Sequence, residues 1–96
     1  MALVKFIKKT QAHHVTFSVQ APGAQKVAVT GDFNNWDPEA HPMKHTGKGI
    51  WKKKLTLPPD QYEYKFLIDG EWREDPENDQ ACVNCFGTRN NLLILI

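Results

Sequence analysis

Cys82 and Cys85 have two residues between them, the spacing on which thiolate metal sites and redox pairs are built. No second cysteine pair follows, and no alternation of strands and helices surrounds them. His41 and His45 would complete a ligand set only if folding brought them there, so plain thiols in a loop are expected, with no metal. Ser18, the only serine, lies mid-strand rather than in a G-x-S-x-G turn, which leaves serine-hydrolase chemistry nothing to build on. Asp32 with Asp37, and Glu71 with Asp75, have the residue types of a glycosidase acid pair. Both pairs fall among turn residues, where carboxylates are ordinarily solvated. His13 and His14 stand at the start of a strand and are expected to be exposed. Trp51 followed by Lys52, Lys53 and Lys54 resembles the basic, aromatic-interleaved patches that contact single-stranded nucleic acid, although a solvated strand face accounts for the lysines equally well.

The remaining constellation is aromatic and polar without being catalytic. Trp36 falls in a loop, Lys65 and Trp72 share the outward face of a hairpin, and Asn90 with Asn91 fall in a later loop. Two tryptophans beside an ammonium and amides suit a ligand with apolar faces and hydroxylated edges. Glucose polymers are such a ligand, because their C–H faces stack on flat rings while their hydroxyls pair with polar side chains. Tryptophans with a purely structural role are the alternative.

The elements that must position these side chains are short strands closed by Gly, Pro, Asn or Asp, with no helical stripe in any window. In residues 14–20, Val15, Phe17 and Val19 share one face. Residues 26–30 point Val27 and Val29 inward and lead to the turn-rich run that ends at Trp36. Trp51, Lys53, Leu55 and Leu57 alternate with Lys52, Lys54 and Thr56, so Trp51 is assigned to the core. In residues 61–73, Tyr62, Tyr64, Phe66 and Ile68 oppose Glu63, Lys65 and Leu67. The Asp69-Gly70 pair that follows is a strong hairpin turn. A two-residue turn sets Ile68 against Glu71, Leu67 against Trp72 and Phe66 against Arg73, placing Trp72 on the face of Lys65. Residues 75–79 form a loop, residues 82–90 are irregular, and residues 91–96 form a strand buried on both sides. About seven strands with intervening turns predict an all-β sandwich.

Ninety-six residues with 41% apolar content supply one core, so residues 1–96 are expected to be a single domain. A formal charge of +1 lacks the basic excess that nucleic acid selects. No apolar run is long enough to span a bilayer, and residues 1–10 lack the pattern of a secretion signal. A cytoplasmic location is the resulting expectation, with no cofactor, nucleic-acid or membrane partner.

Several motifs in order carry a resemblance: the run from Val27 through Gly31-Asp32-Phe33-Asn34-Asn35-Trp36, then Leu57-Pro58-Pro59, Tyr62-Glu63-Tyr64-Lys65-Phe66-Leu67-Ile68-Asp69-Gly70-Glu71-Trp72, Asp75-Pro76 and Gly87-Thr88-Arg89-Asn90-Asn91. Across residues 15–96 the chain resembles the glycogen-binding module of the AMP-activated protein kinase beta subunit, of the type that precedes catalytic domains in isoamylases and branching enzymes (carbohydrate-binding module family 48). The resemblance implies an immunoglobulin-like, early-set β-sandwich and non-catalytic binding of α-1,4-linked glucans at a shallow, solvent-facing site. By motif, Trp36 and Trp72 would stack on glucose, Lys65 would donate to hydroxyls, and Thr88 and Asn90 would bond the sugar. Phe86 stands where kinase modules carry a leucine that enters the ring of the oligosaccharide, so the shape of the preferred glucan would differ. A free-standing module, or one partnered by a glucan-active enzyme or a kinase subunit, is expected. The rival reading is a protein-interaction or packing domain, for which the apolar ending would serve unless residues 3–7 pair with it.

Overall fold

The computed structural model describes residues 12–83 and 87–96. The expectations for residues 3–7, Cys85 and Phe86 lie outside the described residues. Within them the chain forms β1 (His13–Gln20), β2 (Val27–Gly31), a 3₁₀ turn (Asp32–Asn34), β3 (Lys44–Gly47), β4 (Ile50–Leu57), β5 (Asp60–Ile68), β6 (Glu71–Arg73), β7 (Ala81–Val83) and β8 (Arg89–Leu95). All pairings are antiparallel. One sheet runs β1-β4-β3 and the other β2-β5-β8-β7, with β6 also on β5.

The core lies between the sheets. β1 contributes Phe17 and Val19, β4 Leu55 and Leu57, β2 Val27 and Val29, and β5 Tyr62, Tyr64 and Phe66, the last 0% exposed. These are the residues that strand alternation turns to one side. Phe17 meets Tyr64 edge to face, with ring centroids 5.1 Å apart, and so joins the two sheets. Trp51 packs half-buried against this cluster and donates its indole N–H to the Ala21 carbonyl at 3.3 Å. Lys53, on the same inward side, is half-buried.

Four details differ from the sequence reading. β2 is buried on both sides, Ala28 and Thr30 as well as Val27 and Val29, and the chain beyond Trp36 folds back along its edge through Val29 N to His41 O and Met43 N to Val27 O. β3 was not expected; it closes a hairpin with β4, and its side chains are all exposed. Part of the span expected to be irregular is strand: Ala81, Cys82 and Val83 pair with Asn91, Asn90 and Arg89. Finally, β8 is not buried on both sides. Leu93 and Leu95 pack on the core, while Ile94 is 47% exposed, as befits an antiparallel sheet with one face in water.

Asn91 sits inside the sheet, within the strand expected over residues 91–96 and not in the loop expected alongside Asn90. Its amide oxygen accepts from the Asp75 N–H, and its Nδ2 donates to the Asn78 carbonyl at 3.1 Å. Tyr64 donates to Asp75 Oδ2 at 2.7 Å, and Asn78 Nδ2 donates to both the Tyr64 hydroxyl and the Leu92 carbonyl. Burial, and then the bond to Asp75, push the Tyr64 phenol well above its ordinary pKa. The loop after β6 is thus stapled to the sandwich by satisfied buried polar groups.

Candidate functional site

The site begins where β2 ends. A Cβ at Gly31 would lie 2.4 Å from the Glu63 carbonyl oxygen and 2.8 Å from Tyr64 Cβ, so only glycine lets β2 turn this close to β5. In the 3₁₀ turn, Asn34 fixes the backbone: Oδ1 accepts from Gly31 N at 3.0 Å, while Nδ2 donates to the Val29 carbonyl and to His41 Nδ1 at 2.8 Å. His41 Nδ1 must then carry a lone pair, which assigns the neutral, Nε2-protonated tautomer. Burial, and secondarily the Lys53 ammonium, hold His41 below the usual imidazole value. The chain leaves the turn through Asn35 and Trp36, at φ 55° and 58°. Left-handed backbone is uncommon for a residue as bulky as Trp36 and is held here by the Trp36 N to Gly31 O bond of 2.9 Å.

The second arm is the β5–β6 hairpin, whose turn and register match the sequence reading: Leu67 faces Trp72 across a two-residue Asp69-Gly70 turn with φ 48° and 83°. Asp69 Oδ1 accepts from Gln25 N and Lys26 N at 2.9 and 2.8 Å, anchoring that turn to the start of β2. Trp72 stands 50% exposed. The two arms bring Trp36 and Trp72 together edge to face, with centroids 6.2 Å apart and planes at 64°. Lys65 lies on the same outward face and donates from Nζ to Thr88 Oγ1 at 3.2 Å. An open groove beside Trp72 is lined by Lys65, Thr88, Arg73, Glu74 and Arg89. Asn90 shares the outward side of β8, but it is only 7% exposed and its Nδ2 donates to Glu63 Oε1 at 2.9 Å. It holds the half-buried Glu63 carboxylate.

The carboxylates considered for catalysis have structural duties. Asp32 accepts from Trp36 Nε1 and from Glu63 N, and Asp37 Oδ1 accepts from Glu39 N. Glu71 pairs with Arg73, and Asp75 holds Tyr64 and the Glu77 N–H. Cys82 lies in β7, where burial and the neighbouring Glu63 carboxylate push its thiol up, away from the thiolate that metals and nucleophiles need. Among the described residues no three His, Cys, Asp or Glu side chains gather at one point. The sequence reading did not single out Asp32, Asn34, His41 and Glu63 as supports of the platform. The local pattern did not mark them: Asp32 meets the Glu63 N–H 31 residues away, and Asn34 meets His41 only once the chain has folded back.

Paired, angled indoles with flanking polar groups on the outward face of a β-sandwich define a carbohydrate-binding module. The family model for the glycogen recognition site of AMP-activated protein kinase matches residues 13–95, and the chain belongs to that family. It is 39% identical over 72 residues to protein PTST homolog 2, chloroplastic, of Arabidopsis thaliana, covering 75% of this chain and 13% of that protein. It is 32% identical over 87 residues to the human 5'-AMP-activated protein kinase subunit beta-2, covering 91% of this chain and 31% of that subunit. A 1,4-alpha-glucan branching enzyme of Xanthomonas campestris is 48% identical over 54 residues, covering 56% of this chain and 7% of the enzyme. The chain thus spans under a third of the length of these relatives. The crystal structure of the maltogenic amylase from S. marinus superposes with a TM-score of 0.73 at 20% identity, over 88% of this chain and 14% of that one, and shows the same immunoglobulin-like sandwich fold.

Proposed function

We propose that the chain binds α-1,4-linked glucose polymers such as glycogen, starch and maltooligosaccharides, without catalysis, through Trp36 and Trp72. The carrying observation is the pair of outward indoles at 64°. Adjacent residues of an α-linked chain turn relative to one another, so each ring can stack on a different glucose, whereas flat β-linked chains suit coplanar rings. Lys65 and Thr88 stand beside the rings to bond hydroxyls. Asn90 acts from below through Glu63, and Phe86 is assigned to the same site by its motif position. The engagement of the Asp32, Asp37, Glu71 and Asp75 carboxylates in local bonds supports a non-catalytic role. An enzyme or kinase subunit that acts on or senses glucan is the proposed partner, on the pattern of the relatives' names. Native gel retardation with and without glycogen is the test: slowed migration supports the reading, and unchanged migration refutes it.

Packing against a partner is a second reading, favoured by the exposure of Ile94 on the outward side of β8. It would gain ground if glycogen leaves migration unchanged while Ile94→Lys alters the chain's association with a co-expressed enzyme.

A further inference from the structure

Asp32 is exposed, yet both its oxygens are directed at the platform. Oδ1 accepts the indole N–H of Trp36 at 3.1 Å, and Oδ2 accepts the backbone N–H of Glu63 at 2.8 Å. Glu63 lies on β5, the strand that carries Lys65 two residues later and Leu67, the cross-strand partner of Trp72, two residues beyond that. A single carboxylate therefore ties the ring of one arm to the strand that carries the other. Without it, the half-buried Trp36 indole would lose the bond to its N–H and with it a constraint on its side-chain torsions.

We propose that Asp32 is a positioning residue that sets the angle between Trp36 and Trp72 and thereby the curvature of the polymer this face accepts. The proposal rests on the glucan-binding reading above. Two N–H donors approach two different oxygens, and a carboxylate offers an acceptor at both where an amide offers one. Charge-assisted bonds of this kind are stronger than neutral ones and hold the ring in place before the ligand arrives. A ring fixed in advance loses less freedom on binding, which raises affinity without adding a contact. An asparagine has nearly the same shape, but its NH₂ group must face either the indole N–H or the Glu63 N–H. Donor would meet donor, and of the two bonds the one to the indole is the one given up, because it is made to a movable side chain rather than to strand backbone.

The test is a double-mutant cycle of Asp32→Asn and Trp36→Phe, which separates an effect routed through the indole N–H from a general one. Three quantities are read: maltoheptaose affinity by calorimetry, the far-ultraviolet circular-dichroism couplet of the two indoles without ligand, and thermal unfolding. Asp32→Asn is expected to weaken binding about tenfold, close to 1.4 kcal/mol, and to shrink the couplet while the protein stays folded. In the Trp36→Phe background, where position 36 has no N–H to donate, the same substitution is expected to change affinity little. Retention of both couplet and affinity in Asp32→Asn overturns the proposal. So does an equal loss in both backgrounds, or unfolding of Asp32→Asn, since either gives Asp32 only a general structural role. If the wild type binds no α-glucan, the glucan reading fails, and the ligand-free couplet still decides whether Asp32 sets the ring geometry.

Discussion

On the three-stranded sheet the outward row holds Lys44, Lys52 and Lys54 beside His14, Thr16 and Ser18, with no tryptophan among them. On the five-stranded sheet the outward row holds Lys65, Leu67 and Trp72, with Trp36 alongside. Both sheets have a tryptophan and lysines within a few residues of one another in the chain, and strand parity alone separates their fates. Trp51 is in step with Leu55 and Leu57 and turns inward, leaving its neighbouring lysines without an aromatic partner for stacked bases. Trp72 is in step with Lys65 through the Leu67 pairing and turns outward. A one-residue slip in either strand would exchange these roles, so register separates a ring that stabilises the sandwich from a ring presented to solvent.

The sharpest break in this comparison comes from removing the inward ring. Trp51→Ala is expected to cost about 3 kcal/mol, the low end for a core tryptophan because this one is only half-buried, while whatever remains folded keeps its glucan affinity. Denaturant unfolding and a glycogen pull-down on the same sample check both halves. Trp36→Ala and Trp72→Ala should do the reverse: each is expected to weaken maltoheptaose binding by about thirtyfold, the scale of a roughly 2 kcal/mol interface hot spot, with little change in melting temperature. Loss of folding in either outward variant would erase the distinction between the two faces.

Smaller effects refine it. The Thr30 hydroxyl is buried with no hydrogen-bond partner among the described residues, so Thr30→Val should raise unfolding stability by up to about 1 kcal/mol. A loss of stability would reveal a partner for that hydroxyl. His41 has a native pKa below its ordinary 6.5 because burial, and then the Lys53 ammonium, disfavour its cation. As pH falls through that value, the unfolded chain takes up a proton that native His41 refuses, so stability is full above it and declines in acid. Denaturant midpoints near neutrality and in mild acid should fall further for the wild type than for His41→Gln. Equal declines would remove His41 from the account.

The hairpin was legible in the sequence because a two-residue turn leaves a strand pair no freedom of register, and from it followed the outward placement of Trp72 beside Lys65. Trp51's inward placement was legible from alternation in the same way. The partners of the Asn90 and Asn91 amides were not, although the strand expected from Asn91 onward was. Amides after Gly87-Thr88 look like turn residues, and it takes groups brought close by the fold, Glu63, Asp75 and Asn78 among them, to satisfy them inside a strand. The support given to Trp36 by Asp32 was equally hidden. A turn aspartate is ordinarily solvated, and its second partner, the Glu63 N–H, lies 31 residues away.

The central claim is that the two outward indoles take an α-linked glucan between them, and tryptophan fluorescence of the intact chain titrated in parallel with maltoheptaose and cellohexaose tests it most directly. The expected result is saturable quenching by maltoheptaose, weak in affinity because an open face leaves much of the ligand hydrated, and no response to cellohexaose. An equal response to both sugars, or none to either, would contradict the account.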